Sequence, residues 1–129
     1  MLTRKLLIVD DIGQVRKLVR YTVGYGLYEV HEAANGAEGL EKARTLVPDV
    51  MILDVMMPDM SGFEVCAAVK QDPRLKSVFV VLLSARGQKR DFEQGRRAGA
   101  DAYVVKPFQP QKLLELIESR PRPAASSSH

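Results

Sequence analysis

Five short runs of strand-forming residues punctuate the chain: Lys5 to Val9, Tyr28 to Ala34, Asp49 to Leu53, Val78 to Leu83 and Asp101 to Val105. β-Branched and aromatic residues favour extended backbone, and each run is followed by a segment long enough for a helix. No other feature restricts the fold as strongly. The first, third and fourth runs are nearly all apolar instead of alternating, which is the pattern of strands covered by helices on both faces of a parallel sheet.

The first helical segment is the clearest. Val15, Leu18, Val19, Thr22 and Val23 follow the i, i+3, i+4, i+7, i+8 spacing of one buried stripe, closed by Gly24 and Gly26. Further helices are expected over Ala37 to Leu46, Gly62 to Lys70, Gln88 to Ala98 and Gln111 to Ser119. The fourth offers only Phe92 and Ala98 as core anchors, so it is expected to be the loosest. Five β-α units of this kind give an α/β, doubly wound, five-stranded parallel sheet. The flavodoxin-like strand order 2-1-3-4-5 places a ligand site at the carboxyl ends of strands one and three, where the order reverses.

Composition bounds the function classes. A chain of 129 residues, 46% hydrophobic, holds one domain with a real core and no room for a multidomain enzyme. Lys and Arg number 19 against 16 Asp and Glu, a net +3, but the cations are scattered, so attraction to polyanions is weakly supported. The single cysteine, Cys66, excludes an intramolecular disulfide and a zinc cluster. The longest apolar run, Val78 to Leu83, is far short of the ~20 residues that span a bilayer. Leu6 to Val9 is halted by two aspartates, unlike a signal peptide. A cytoplasmic location is the resulting expectation, with a folded domain over residues 1–120 and a Pro/Ala/Ser-rich flexible tail or linker over 121–129.

The residues just past the strands carry the chemistry: Asp10 and Asp11 after the first, Asp54 after the third, Ser84 after the fourth and Lys106 after the fifth. Taken singly, each has a plain structural explanation; Asp11, for example, can cap the first helix. Together they place three carboxylates, a hydroxyl and an ammonium on one rim of the sheet. Adjacent carboxylates repel unless solvated or neutralised by a cation. An oxygen-only site without His or Cys suits Mg²⁺ completed by a phosphate, and no EF-hand spacing supports calcium. With that charge offset, a carboxylate can attack phosphorus to form an acyl phosphate, while Lys106 and Ser84 bind the phosphoryl oxygens.

These residues resemble the receiver domain of bacterial two-component response regulators, the CheY-like superfamily, from about Lys5 to Ser119. The resemblance rests on Asp10-Asp11, on Asp54-Val55-Met56-Met57-Pro58-Asp59-Met60-Ser61-Gly62, on Ser84-Ala85 and on Lys106-Pro107-Phe108. It implies that Asp54 accepts a phosphoryl group from a sensor histidine kinase or phosphotransfer protein. It further implies that Asp11, Asp54 and the Met56 carbonyl bind Mg²⁺, that Asp10 acts mainly through a coordinated water, and that Lys106 pairs with a phosphoryl oxygen. Ser84, where the family often has threonine, would move to the phosphate, and Tyr103 would turn inward as the aromatic switch. A cis Lys106-Pro107 bond is implied as well, and Met56 and Arg86 occupy positions expected to tune phosphate lifetime. The output surface would be helix four, strand five and helix five, acting on a downstream protein, an output domain elsewhere in a longer chain, or a phosphorylation-dependent homodimer. Membrane or direct nucleic-acid binding by this chain is not expected.

Other features read as packing. Cys66 shares the presumed buried face of the third helix with Phe63 and Val69. His31 and His129 show no partner pattern, Met51, Met56, Met57 and Met60 suit core and loop packing, and Asn35-Gly36 reads as a turn. Among rivals, an aspartate-nucleophile phosphatase of the haloacid dehalogenase kind requires Asp-x-Asp after strand one, whereas this chain has Asp10-Asp11-Ile12 and no cap domain. A receiver-like module working without phosphorylation usually lacks an acidic or lysine position, and none is missing. A dinucleotide binder would need Gly-x-Gly-x-x-Gly.

Overall fold

The computed structural model describes residues 4–24 and 27–120. Five β-α units follow one another: β1 (Arg4–Val9), α1 (Gly13–Thr22), β2 (Tyr28–Ala33), α2 (Gly36–Leu46), β3 (Val50–Asp54), α3 (Gly62–Gln71), β4 (Phe79–Ser84), α4 (Lys89–Arg97), β5 (Ala102–Val105) and α5 (Pro110–Glu118). The strands are parallel, as the alternation of strand and helix implies, and lie in the expected order β2-β1-β3-β4-β5. Gly26 and the expected tail over 121–129 lie outside the described residues.

The apolar runs explain a core divided by the sheet. On one face Leu6, Ile8, Val50, Ile52, Val81 and Leu83 pack against Val19 of α1, Val23 at its C-cap, and Leu113 and Ile117 of α5. On the other, Leu7, Val9, Met51, Leu53, Val80 and Leu82 meet Ala43 of α2 and Phe63, Val65, Cys66 and Val69 of α3. Successive strand side chains point to opposite faces, so a strand buried on both has no place for a polar residue until it ends. The first polar residues therefore fall together at one rim.

Register fixes that rim. Val9 pairs with Leu53, Asp54 with Leu83 and Ser84 with Val105, so Asp10, Asp54, Ser84 and Lys106 lie within one residue of the same edge.

Three local expectations change. In α1, Leu18 is 40% exposed, and Thr22 turns its hydroxyl back to donate to the Leu18 carbonyl at 2.6 Å, so the buried stripe is narrower than its spacing implied. In α4, Phe92 is 41% exposed rather than a core anchor. The helix instead seats Gly95 on the sheet, where a Cβ would come within 3.0 Å of both Leu82 Cδ1 and Tyr103 Cδ2. Close approach through a missing side chain leaves no mark on an apolar-stripe reading. Asn35 is a helix N-cap rather than a simple turn, its Oδ1 accepting from Glu38 N at 2.9 Å.

Cys66 is fully buried, and burial pushes its thiol up to about 12. The thiolate is the reactive form. Native protein is expected to resist Ellman's reagent and to react fully once unfolded in urea; rapid labelling of the native state would contradict this burial. Among the described residues, no helix is long and apolar enough to cross a membrane.

Candidate phosphoryl-acceptor site

The chain positions each site residue by a separate local device. Asp10 continues the β1-β2 ladder by one bond, its N–H donating to the Ala33 carbonyl at 3.1 Å. Its Oδ1 then accepts from Ile12 N at 2.9 Å, turning the backbone into α1. Ile12 is the N-cap of that helix and no side chain caps it, so Asp11 is not the cap and stands exposed on the loop.

Asp54 ends β3, and the following loop folds tightly back on it. Gly62 N donates to the Val55 carbonyl at 2.9 Å, and a Cβ on Gly62 would fall 2.4 Å from the Asp54 carbonyl oxygen. Only glycine lets α3 start that close. Ser61 and Glu64 form a capping box that fixes this start, with Glu64 N donating to Ser61 Oγ at 3.2 Å and Ser61 N to Glu64 Oε1 at 2.9 Å. Asp59, from the same loop, accepts from Gly36 N and Ala37 N at 2.9 Å each and ties the loop to α2.

Lys106 closes the pocket. Its N–H donates to the Ser84 carbonyl at 2.7 Å, its peptide bond to Pro107 is cis, and its Nζ lies 3.2 Å from Asp10 Oδ2 and 3.3 Å from Asp54 Oδ1. Asp10 is 0% exposed and Asp54 2%, so this ammonium is the nearest compensation for two buried carboxylates. Burial, with the Asp10 charge beside it, pushes Asp54 up to about 6 despite the opposing pull of Lys106. Burial alone would lower Lys106, but the charges of Asp10 and Asp54 overcome it and raise the ammonium above its ordinary value.

Asp10, Asp11 and Asp54 each offer an oxygen within 4.8 Å of the others. Opposed ligands of Mg²⁺, at about 2.1 Å from the ion, stand about 4.2 Å apart, and the ion prefers hard oxygen donors with several waters retained. The donor set is carboxylate only and one member faces solvent, so these residues fit Mg²⁺.

Ser84 and Tyr103, the residues expected to switch, adjoin this pocket. Ser84 Oγ, fully buried, accepts from Arg86 N at 3.0 Å. Tyr103 is half-buried: its hydroxyl donates to the Arg86 carbonyl at 2.7 Å, its ring meets Phe92 edge-on at 4.8 Å, and Phe63 lies 6.5 Å away. The ring thus lies between Phe92 and Phe63 while Ser84 is bonded to Arg86. The Arg86 guanidinium reaches Met56 Sδ at 3.8 Å and pairs, without hydrogen-bond alignment, with Asp91 Oδ1 at 3.0 Å. Met56, grouped with the packing methionines, is 55% exposed at the pocket mouth.

The rest of the sequence reading divides. Cys66, Phe63 and Val69 share the α3 core face as expected. His31, expected to lack a partner, has Nε2 2.6 Å from Glu29 Oε2 two residues away on the same edge strand. Arg16, Glu32 and Asp59 received no role, although all three brace the loops that carry the site. The carboxylate of Glu32 is gripped by Arg16 Nε and Arg20 Nε, each at 2.9 Å. Nothing in an Arg or Glu near a strand end separates a brace from a solvated surface residue.

The family model described as the response regulator receiver domain matches residues 6–118. The transcriptional regulatory protein ResD of Bacillus subtilis is 34% identical over 125 residues, covering 97% of this chain and 51% of that protein. The alkaline phosphatase synthesis transcriptional regulatory protein PhoP of the same species is 37% identical over 131 residues, covering 98% and 53%. The chain therefore spans about half the length of these curated relatives. Among solved structures, chemotaxis protein CheY4 of Vibrio cholerae aligns with a TM-score of 0.85 at 37% identity, covering 91% of this chain and 98% of that one. The BeF3-activated DrrB receiver domain aligns with a TM-score of 0.83 at 32% identity, covering 91% and 96%.

Proposed function

The chain belongs to the response regulator receiver domain family, and from that premise we propose that residues 1–120 form a phosphorylation-controlled switch whose acceptor is Asp54. The observation that carries this reading is the meeting of three carboxylates within 4.8 Å, with the Lys106 ammonium 3.2 and 3.3 Å from two of them. The donor is a histidine kinase or phosphotransfer protein. The chain acts as a phosphoacceptor rather than as an enzyme turning over an independent substrate.

At neutral pH the Asp54 carboxyl, titrating at about 6, is mostly the anion, which is the nucleophile. Asp54 attacks phosphorus, the P–N bond to the donor imidazole breaks, and an acyl phosphate remains on Asp54. Asp10, Asp11, Asp54 and the Met56 carbonyl would hold Mg²⁺, which supplies positive charge that offsets the carboxylates and polarises the phosphoryl group. Lys106 binds the phosphoryl oxygens as charge gathers on them.

The new group brings roughly −2 charge and strong acceptors. Ser84 then turns its hydroxyl to donate to a phosphoryl oxygen, and in that exchange gives up the bond it accepts from Arg86 N. Because the Arg86 carbonyl holds the Tyr103 hydroxyl, that exchange reaches the surface formed by α4, β5 and α5, where a downstream protein, an output domain or a second copy of the chain would respond. Cytoplasmic signalling fits this chemistry.

The decisive experiment is incubation with Mg²⁺ and acetyl phosphate, read by intact mass. One hydroxylamine-labile phosphoryl group is expected on the wild type, and none on Asp54→Asn or with a chelator present. Label retained in the Asn variant would move the nucleophile elsewhere. An unlabelled wild type would favour a module that works without phosphorylation.

A further inference from the structure

We infer that Arg16, held by Glu32, is a positioning residue for the metal-binding loop, and that the pair sets its affinity for Mg²⁺; this rests on the reading above. Asp11 is the one exposed member of the acidic cluster, and no described residue hydrogen-bonds its carboxylate. Its placement therefore depends on the backbone that carries it. The carbonyl oxygen of Asp10 belongs to the peptide unit joining Asp10 to Asp11, and that unit is planar, so holding the oxygen restricts where the Asp11 Cα, and with it the carboxylate, can lie.

Arg16 does this. Its Nη1 donates to the Asp10 carbonyl at 2.6 Å, while its Nε donates to Glu32 Oε1 at 2.9 Å. Glu32 sits at the end of β2 and is anchored in turn: Arg20 Nε donates to its other oxygen at 2.9 Å, and Lys42 Nζ donates to its backbone carbonyl at 2.5 Å. Burial would raise the Glu32 carboxyl, but the hydrogen bonds from Arg16 and Arg20 overcome that and hold it below its ordinary range, so it stays charged. The Asp10-Asp11 peptide is thereby clamped between the N–H bond of Asp10 to Ala33 and the guanidinium of Arg16. A guanidinium spans two acceptors with fixed geometry, which lysine does not reproduce.

Outer partners that orient ligands typically alter metal affinity by 10–100-fold when lost. Titration calorimetry of the unphosphorylated full chain with Mg²⁺ alone should show affinity weakened about 10-fold in Arg16→Met and in Glu32→Gln. Arg16→Met/Glu32→Gln should be no weaker than Arg16→Met, because the two act in series. The acetyl phosphate reaction should need more Mg²⁺ in each variant yet reach the wild-type rate at saturation, which a merely structural lesion would not allow. Urea midpoints identify any variant that is poorly folded, and Arg16→Lys, expected to stay weakened, then supplies the comparison. Wild-type affinity in the Arg16 and Glu32 variants, with binding abolished in Asp11→Asn, would overturn this inference alone. A wild type that does not bind Mg²⁺ would overturn both it and the reading it rests on.

Discussion

Lys106→Met is expected to slow phosphorylation of Asp54 by acetyl phosphate about 10²- to 10³-fold, the usual loss when one preorganised charge-stabilising group is removed from a transition state. The Lys106 ammonium lies 3.3 Å from Asp54 Oδ1, beside the position a transferred phosphoryl group must take. A compact charge at that distance in a partly buried site is worth far more than in water. The same substitution removes a charge that lowers the Asp54 carboxyl, so in the metal-free protein the acceptor should titrate higher. Initial rates at saturating Mg²⁺ read the first effect, and titration of Asp54 without metal reads the second. A variant with the wild-type rate and an unmoved titration would place Lys106 outside the reaction.

Asp54→Asn should stabilise the metal-free protein at neutral pH. Asp54 titrates at about 6 in the folded chain against an ordinary 3.8, so the folded state holds the proton more tightly than the unfolded one. For a raised carboxyl the favourable contribution is complete below about pH 4 and is lost as pH rises through 6. Two units correspond to about 3 kcal/mol at pH 7. Other carboxyls, such as Glu32 and Glu38, are lowered and shift stability in the opposite direction over a more acidic range, so the informative quantity is the difference between wild type and variant. Urea unfolding without metal should give similar stabilities near pH 4 and a gap that widens by about pH 7. Added Mg²⁺ should narrow the gap by stabilising the wild type more than the variant, which lacks the Asp54 charge. A gap independent of pH would mean that the Asp54 charge is not strained.

The parallel sheet and its rim of acids, hydroxyl and amine were legible because both follow from one periodic signal, whereas the strand order came from the flavodoxin-like pattern. Strands buried on both faces, such as Leu6 to Val9 and Val50 to Leu53, admit no polar residue, so the first polar residue after each marks the same edge. What escaped was set by close approach and by long side chains. Gly95 faces the sheet because it has no side chain, and Phe92 consequently faces out; an apolar-stripe argument predicts the reverse. The half-buried position of Tyr103 depends on that same seat. Arg16 and Glu32 meet through flexible side chains from α1 and β2, and their identity reveals nothing until the fold brings them together.

The pocket draws on both ends of the folded chain, since Asp10 and Lys106, 96 residues apart in sequence, close it from opposite sides. A ribosome must therefore finish almost the entire domain before any acceptor chemistry exists. Fragments that keep Asp54 but lack the residues after β5 would also lack the Lys106 ammonium that offsets its buried charge, so under the proposed function an incomplete copy would be a poor phosphoryl acceptor.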